Sequence, residues 1–272
     1  MRVVSDANTT VVLLLVGAGL VWGPEGSIPI PAWLVGWSHR LGNDRWLFVL
    51  IAQFVLEALF WGLALALHLG RARLEPYRLQ PHCKAPELES NLTTEAMFSV
   101  VLGHWLVRPI GLYYLYPLAV LHGSLLGEDL PNPKVCCLQL LGCMLVDDTW
   151  FYWMHRGLHH FPWLYRTVHK KHHRFTRPNI FATEFAHPVE DLVVNMAGTV
   201  LGPILLGVHP LLLVGYMGMK FYQSLEAHSG YNIPFPFSLT SVIDSMDCAP
   251  AHDFHHSHNV GNFGGWFMFW DW

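Results

Sequence analysis

The residues in this sequence with the clearest capacity for chemistry are histidines that occur in three tight clusters. Within each cluster the later imidazoles follow the first by three or four residues, so they can lie on the same face of a short helix as the first. Eight rings are placed in this way: His155, His159, His169, His172, His173, His252, His255 and His256. Crowded cationic imidazoles would repel one another, whereas neutral imidazole is a common metal ligand. The three clusters therefore predict metal binding by neutral rings.

The number of imidazoles indicates two metal ions, each with several nitrogen ligands and an open position. Structural zinc needs only four ligands and favours thiolates. The 5 cysteines, at positions 83, 136, 137, 143 and 248, include no Cys-x-x-Cys pair. The full set of paired Glu residues and two Glu-x-x-His motifs that carboxylate-bridged di-iron bundles use is also not found. Because neutral ligands leave the metal charge uncompensated, the pattern favours a strongly oxidising metal–oxygen species.

The composition places these histidines in a membrane protein. Of the 272 residues, 52% are hydrophobic and only 13% are charged, whereas roughly a quarter are charged in a soluble domain. The mean hydropathy is +0.30. The formal charge of −4 gives no basic field for nucleic acid. We expect an all-α fold, a polytopic membrane helical bundle with a cytosolic, histidine-rich helical cap that holds a di-metal site.

Three segments, 46–70, 97–121 and 135–154, approach or exceed the roughly 20 apolar residues that a membrane span needs. The second contains Arg108-Pro109 and is predicted to be kinked or partly re-entrant. The shorter apolar run 11–22 is expected to be an anchor or membrane-dipping segment rather than a removed signal peptide.

A fourth apolar stretch, 192–225, is predicted to be a helical hairpin that bends at Gly202-Pro203 or between Gly207 and Pro210. The hairpin is required because the second and third histidine clusters must face one metal centre from one side of the membrane. Basic residues concentrate at 71–84 and 156–177, two crossings apart, which places both basic segments and the histidines on the cytosolic side.

The sequence around the clusters resembles the sterol desaturase/fatty acid hydroxylase superfamily of membrane-bound di-iron oxygenases. The resemblance rests on DDTWFYWMHRGLHH at 147–160 and LYRTVHKKHH at 164–173, and it extends through 184–190, 227–234 and 252–256. It runs from about Tyr77 to Asp271 and is strongest to the C-4 methylsterol monooxygenase branch, with the cholesterol 25-hydroxylases close behind. We therefore divide the chain into N-terminal membrane segments, 1–70, and a hydroxylase/desaturase-like domain, 71–272.

The resemblance assigns roles to individual residues. The eight clustered histidines match the metal-binding boxes of the superfamily, and His228 matches a further ligand of the same centre. His187 is either a ligand or a hydrogen-bond partner of one. Four carboxylates are candidates for orienting ligand histidines, with capping or solvation as the alternative for each. They are Asp148, Glu184, Glu190 and Glu226.

Two departures from the superfamily pattern qualify these assignments. Ala251 stands where an extra histidine often precedes the third box. The Gly-Thr pair that usually follows a few residues after Trp270-Asp271 has no counterpart, because the chain stops at Trp272. We expect either a truncated product or a short last helix, and an inactive scaffold of the same superfamily stays open.

The resemblance implies an oxygen-dependent di-iron lipid monooxygenase of the endoplasmic reticulum membrane, with two iron ions as cofactor and molecular oxygen as co-substrate. C-4 methylsterol oxidation is the leading reaction. A sterol side-chain hydroxylase, a sterol desaturase or a fatty-acyl hydroxylase would use the same centre. A histidine-rich metal transporter is the alternative from another class, but its ligands should lie near the bilayer midplane, whereas these clusters flank the apolar segments.

The electrons for oxygen activation are expected from a separate partner. The sequence contains neither a Gly-x-Gly-x-x-Gly motif nor the His-Pro-Gly-Gly of a fused cytochrome b5 domain. The resemblance implies cytochrome b5 with its NADH reductase. A group of cations near the clusters could dock such an acidic donor or face lipid headgroups. They are Arg156, Arg166, Lys170, Lys171, Arg174 and Arg177.

Overall fold

The computed structural model describes residues 26–81, 87–234, 237–238, 240 and 249–272. The expected anchor at 11–22 lies outside this part of the chain, and the division of the chain at residue 70 stays a prediction. The described residues are helical, with two isolated antiparallel bridges that pair Ile28 with Leu130 and Arg78 with Tyr231.

The helices are numbered here in chain order, and short 3₁₀ and π-helical turns are given by their residues. The α-helices are α1 (Ala32–Leu41), α2 (Asp44–Leu74), α3 (Glu87–Leu102), α4 (Arg108–Ala119), α5 (Pro133–His160), α6 (Pro162–Thr167), α7 (Pro188–Glu190), α8 (Ala197–Leu205), α9 (Pro210–Ala227) and α10 (Ala249–His258).

Three helical segments in the described residues are long and apolar enough to cross a membrane. They are Asp44–Tyr77, Asn91–Ala119 and Pro133–His160, which overlap the three predicted spans. Large apolar side chains on them point outwards, including Phe54, Leu69 and Phe98, each more than 70% exposed. Such exposure suits contact with lipid rather than water. The predicted all-α membrane bundle is confirmed.

The second span passes through Arg108-Pro109 as one helical rod with a local change of hydrogen bonding. A π-helical turn, Gly103–Val107, joins α3 to α4, and the Arg108 N–H bonds to the Gly103 carbonyl five residues back. Pro109 has no N–H to continue the regular ladder, and π-turns accommodate such interruptions inside helices. The predicted kink therefore takes the form of a π-turn within a continuous span.

The hairpin predicted at 192–225 is present, and it bends between Gly207 and Pro210. Its first arm consists of α7, a π-turn and α8, and its second arm is α9. Gly207 has φ of +59°, in the left-handed region that favours glycine. Pro210 then begins α9. Pro203, the other candidate bend, lies inside α8.

The first arm of the hairpin runs antiparallel to α5. Near the histidines, Trp150 Nε1 donates to the Val193 carbonyl at 2.8 Å, and about three turns away Gln139 Nε2 donates to the Leu206 carbonyl at 3.1 Å. The second arm brings the chain back, so that the second and third histidine clusters lie at the same end of the bundle.

The close approach of α5 and α8 depends on glycine. A Cβ atom on Gly202 would lie 2.8 Å from Cys143 Cα, and one on Gly198 would lie 2.8 Å from Asp147 Oδ1. The contact with Cys143 is to the backbone, which cannot move aside as a flexible side chain can. The lack of a side chain at Gly202 therefore allows the first hairpin arm to pack closely against α5.

We expect Gly202→Ala to destabilise the protein by about 1–3 kcal/mol, the usual cost of overpacking. Gly215→Ala in α9 is the matched control, because no atom lies within 4 Å of its added Cβ. That change should be neutral or slightly stabilising, since alanine has the higher helix propensity. Thermal unfolding in detergent micelles compares the two, and equal effects would contradict the packing argument.

Candidate metal centre

Four parts of the chain bring nine histidines together at one end of the bundle. The last turns of α5 carry His155 and His159, and His228 directly follows α9. The 3₁₀ helix His169–Arg174 carries the second cluster, and α10 carries the third. The nine are the eight clustered histidines and His228 that the sequence singled out.

The histidines form two groups, in each of which the potential ligand atoms all lie within 4.8 Å of one another. The first group consists of His155, His159, His169, His173 and His255. The second group consists of His172, His228, His252 and His256. Every ring in both groups is buried except that of His159, which is partly exposed.

The structure corrects the expectation that each cluster lies on a short helix and converges as a unit. The first pair ends a helix of 28 residues. In the second cluster, His169 and His173 enter the first group and His172 enters the second. In the third, His252 and His256 enter the second group and His255 enters the first. The residue at i+3 thus points to the other group, so the second and third clusters contribute to both groups, whereas His155 and His159 both enter the first.

The spacing of the ring nitrogens fits metal coordination. In the first group, Nε2 of His169 lies 2.8 Å from Nε2 of His159 and 3.2 Å from that of His155. In the second, Nε2 of His228 lies 2.9 Å from that of His252 and 3.3 Å from that of His172. A metal about 2.1 Å from two nitrogens at a right angle would hold them about 3 Å apart. Both groups therefore fit an ion bound through Nε2.

Acceptors on the far side of the rings orient these nitrogens. His155 Nδ1 donates to the Phe263 carbonyl and His255 Nδ1 to the Gly261 carbonyl, at 3.1 and 2.7 Å. His228 and His256 donate in the same way to the carbonyls of Ser224 and Phe175, at 2.7 and 2.8 Å. A proton held on Nδ1 leaves the Nε2 lone pair for a metal.

Burial keeps these rings neutral. Desolvation lowers the pKa of His228 to about 4 and that of His255 to about 4, although the backbone acceptors of both oppose the shift. The pKa values of His172, His252 and His256 lie well below the ordinary value, again chiefly through burial and then through neighbouring histidines. Neutral imidazole is the form that binds a metal.

Among the predicted orienting residues, Glu190 contacts a grouped histidine directly. Its Oε1 lies 2.8 Å from His169 Nδ1, and burial raises the pKa of Glu190 well above its ordinary value. His187 instead accepts the Val189 N–H and caps α7. Glu226 is buried and accepts hydrogen bonds from Ser238 and Thr240.

Asp148 reaches the site through the backbone of the C-terminal segment. Its Oδ1 accepts the N–H groups of Gly265, Trp266 and Phe267 at 2.6–3.1 Å. Asp271 accepts the N–H of Phe263 at 2.9 Å. These bonds fix the loop whose Phe263 carbonyl receives His155 Nδ1.

Glu184 lies in a second buried network, which the sequence analysis did not identify. Arg108 bonds to Glu184 Oε1 at 2.9 Å and to Glu57 Oε1 at 3.2 Å. His104, between them, lies 2.9 Å from Glu57 Oε1 and 3.7 Å from Glu184 Oε2. Burial raises the pKa of Glu184, but Arg108 and His104 outweigh it and lower the pKa overall. The sequence signal was a charge in each of two spans, at Glu57 and Arg108.

A cavity of about 530 Å³ adjoins both histidine groups, within the range typical of small-molecule sites. Five histidines line it, namely His155, His169, His172, His228 and His252. Apolar side chains of α4, α8 and α9 form much of the remaining wall, including Ile110, Leu115, Val200, Met217 and Phe221. The grouped histidines thus face a space suited to an apolar molecule.

Lys220 is a further cavity residue that the sequence analysis missed. It is the single charged residue in the apolar stretch 192–225, and it is 8% exposed. A lone cation in an apolar stretch is a recognisable signal for a functional or paired charge.

Comparison with known proteins places the histidines in a recognised family region. The model of the fatty acid hydroxylase family matches residues 140–272, which include all nine. No solved structure matches the chain significantly.

Three relatives illustrate the range of similarity. Methylsterol monooxygenase 2-2 of Arabidopsis thaliana is 31% identical over 244 residues, 87% of this chain and 89% of the relative. A putative methylsterol monooxygenase of Dictyostelium discoideum is 35% identical over 178 residues, 65% of each chain. A fatty acid hydroxylase of Mycosarcoma maydis is 35% identical over 223 residues, 80% of this chain and 53% of the relative.

The metal-free protein should lose stability as the pH falls from about 6.5 to about 4. Unfolded histidines take up protons near pH 6.5, whereas His228 and His255 resist protonation until about pH 4 in the fold. The unfolded state therefore binds more protons throughout this window, and the free energy of unfolding decreases. Above about pH 6.5 these rings are neutral in both states and contribute no pH dependence.

Thermal unfolding of chelator-treated protein in detergent, followed across this window, measures the effect. A double variant, His228→Gln with His255→Gln, should show a shallower fall, whereas His258→Gln at an exposed position should follow the unsubstituted protein. A melting temperature that stays constant between about pH 6.5 and about pH 4 would contradict the assigned shifts.

Proposed function

This chain belongs to the sterol desaturase/fatty acid hydroxylase superfamily, and from that membership and its two histidine groups we propose that it is a membrane-bound di-iron lipid monooxygenase. The observation that carries the proposal is the pair of neutral, buried nitrogen groups beside an apolar cavity. The two groups supply metal ligands, and through the cavity a lipid can reach the bound metals. The three membrane-crossing helices keep the site at the bilayer that holds such a substrate.

The first group would hold one iron ion through up to five imidazoles, and the second group would hold another through up to four. With molecular oxygen and two electrons per turnover, the bound irons would supply the oxidising chemistry that replaces a lipid C–H bond by C–OH. The backbone carbonyls on Nδ1 keep the ligand rings in orientation, and Glu190 does the same for His169. Burial around the rings excludes bulk water from them.

The substrate we propose is a 4-methylsterol, which would be hydroxylated on its C-4 methyl group. The relatives named methylsterol monooxygenase support this choice, including one aligned along 87% of this chain. The Mycosarcoma maydis relative and the family model, both described as fatty acid hydroxylases, support a fatty-acyl substrate as the second candidate. A sterol side-chain hydroxylase or a sterol desaturase would use the same ligand set.

We place the protein in the endoplasmic reticulum membrane with its histidines on the cytosolic side, and we propose cytochrome b5 with its NADH reductase as the electron donor. Four of the six cations near the clusters, including Arg177, already have partners. Arg174 pairs with Glu95 at 2.9 Å, Lys171 donates to the Ala186 carbonyl, and Arg156 donates to Tyr152. Exposed Arg166 and Lys170 are the better candidates for contact with an acidic donor.

Metal analysis tests the two-ion assignment. His172→Ala removes a ligand from the second group and His173→Ala removes one from the first, so each variant should fall from about two irons per chain towards about one and lose turnover. His258→Ala is the control, because this exposed ring lies in α10 but in neither group. Iron content after purification and oxygen uptake with NADH and microsomal reductase measure both effects. Normal iron and turnover in His172→Ala would contradict the assignment.

Sterol analysis tests the substrate. In cells that lack their own C-4 methylsterol oxidase, expression of the chain should deplete accumulated 4,4-dimethylsterols, because the proposed reaction oxidises their methyl groups. The His172→Ala protein, expressed to the same level, controls for effects of membrane insertion alone. Unchanged 4,4-dimethylsterols with iron-loaded protein in the membrane would reject the sterol substrate. Hydroxylated fatty acids in the same extracts would then support the fatty-acyl candidate.

A further inference from the structure

The charged side chain of Lys220 lies in a largely apolar part of α9. Its neighbours in α9 include Met217, Met219 and Phe221, and the residue is 8% exposed. Burying an ammonium group is costly unless the protein supplies partners for it.

The structure fixes the Lys220 ammonium in one place. Its Nζ lies 3.3 Å from Asp147 Oδ2 and sits over the rings of Phe151 and Trp266, 4.9 and 5.1 Å from their centroids. A Cβ on Gly265 would lie 2.9 Å from Nζ, so the glycine leaves the space that the ammonium occupies. An ammonium has three N–H donors. The ring faces attract its charge electrostatically and are not conventional hydrogen-bond acceptors, so beside Asp147 the ammonium keeps donors for another acceptor.

Lys220 also lies beside both histidine groups. Phe151, under the ammonium, is one helical turn before His155 and packs on it with ring centroids 5.1 Å apart. On the other side, burial is the main cause of the low pKa of His228, and the charge of Lys220 contributes to it. Lys220, His155 and His228 all line the cavity.

A second polar side chain lies on the same face of α9. Gln223 is one turn after Lys220 towards His228, lines the cavity and is 3% exposed. Within the described part of the chain, its amide makes no hydrogen bond to the protein, although the amide atoms are not fully enclosed. An amide that lines a cavity and has no protein partner can donate to a ligand oxygen.

We propose that Lys220 and Gln223 donate hydrogen bonds to the polar oxygen of the lipid substrate and so select a lipid whose oxygen is close to the carbon that reacts. This inference rests on the proposed function and sharpens its substrate. In a 4-methylsterol the 3-hydroxyl oxygen is three bonds from the C-4 methyl carbon, so one polar contact beside the irons orients the reacting group. In side-chain hydroxylation the ring hydroxyl would lie at the other end of the sterol, away from these donors.

The other polar part of the cavity wall is less suited to this role. Arg108 and Glu184 line the cavity but bond to each other, and Arg108 is also engaged by Glu57. Asp147 Oδ2, by contrast, accepts hydrogen bonds from Tyr216 Oη and Trp266 Nε1 in addition to its contact with the Lys220 ammonium. The carboxylate therefore keeps two donors if the ammonium turns part of its hydrogen-bonding capacity to a ligand.

Equilibrium binding of two sterols tests the proposal without relying on turnover. The probes are radiolabelled 4,4-dimethylsterol and its 3-deoxy analogue, added to the purified, iron-loaded full chain in detergent without oxygen. The unsubstituted protein should bind the 3-hydroxysterol roughly 10- to 100-fold more tightly than the analogue, as expected for a hydrogen bond to a charged group. Lys220→Met should remove most of this preference by weakening the 3-hydroxysterol alone, and Gln223→Leu should reduce it in part.

Two further variants separate binding from folding. Lys220→Met with Asp147→Asn removes both charges, so it avoids leaving a buried carboxylate without its cation, and it should show the same loss of preference. Lys134→Met makes the same change at an exposed position and should leave both affinities unchanged. Iron content and thermal unfolding show which variants are folded.

The outcomes distinguish this inference from the proposed function. Three results would overturn the role of Lys220. In the first two, the unsubstituted protein binds neither sterol or binds both with equal affinity. In the third, the folded double variant keeps the full preference for the 3-hydroxysterol. Equal weakening of both sterols would also overturn it, because that result indicates altered cavity shape. If the preference for the 3-hydroxysterol depends on Lys220 but the cell assay shows no oxidised sterol, the inference is retained and the proposed reaction is rejected.

Discussion

The packing of nine neutral imidazoles, eight of them buried, at one end of a membrane bundle is the constraint on which the rest of the structure depends. Each ring has two nitrogens, and burial makes it costly to leave either without a partner. Four rings direct Nδ1 to backbone carbonyls, and His169 directs it to Glu190. Apart from Ser224 in α9, these acceptors lie in the segments 175–190 and 259–271, whose regular structure is limited to short helical turns. The bonds to the rings restrain the conformation of both segments.

The spans tolerate charge where the charge connects helices. Asp147 and Lys220 join α5 to α9 at 3.3 Å. The second network joins α2 to α4 and to the 3₁₀ helix Ile180–Glu184 through Arg108. A buried ion pair is weak support for stability, because desolvation offsets much of the attraction. Since both networks also border the cavity, we interpret them as devices that fix the cavity wall relative to the histidines.

The sequence was sufficient for the helical bundle, the three spans and the identity of the grouped histidines, because each has a local signal. Long apolar runs set the spans, and neutral imidazoles at helical spacing indicated a metal site. The division of the second and third clusters between two groups had no such signal, because it depends on how the 3₁₀ helix His169–Arg174 faces α10. The Nδ1 acceptors could not be predicted either. They are backbone carbonyls, such as that of Gly261, and every residue has a backbone carbonyl. Lys220 did have a local signal, because it is the single charged residue in the apolar stretch 192–225.

The geometry of the grouped nitrogens couples metal binding to folding. His155 donates through Nδ1 to Phe263 and His228 does so to Ser224, so their Nε2 atoms carry lone pairs. These lone pairs face other ring nitrogens at 3.2 and 2.9 Å, distances at which two lone pairs repel unless a proton or a cation lies between them. An additional proton is disfavoured, because burial lowers the pKa of His228 to about 4. A neutral neighbour such as His252 can satisfy one lone pair by carrying its own proton on Nε2, but that leaves the neighbour without a lone pair there. A metal cation removes the repulsion without requiring the rings to move, so its binding free energy adds to that of the fold.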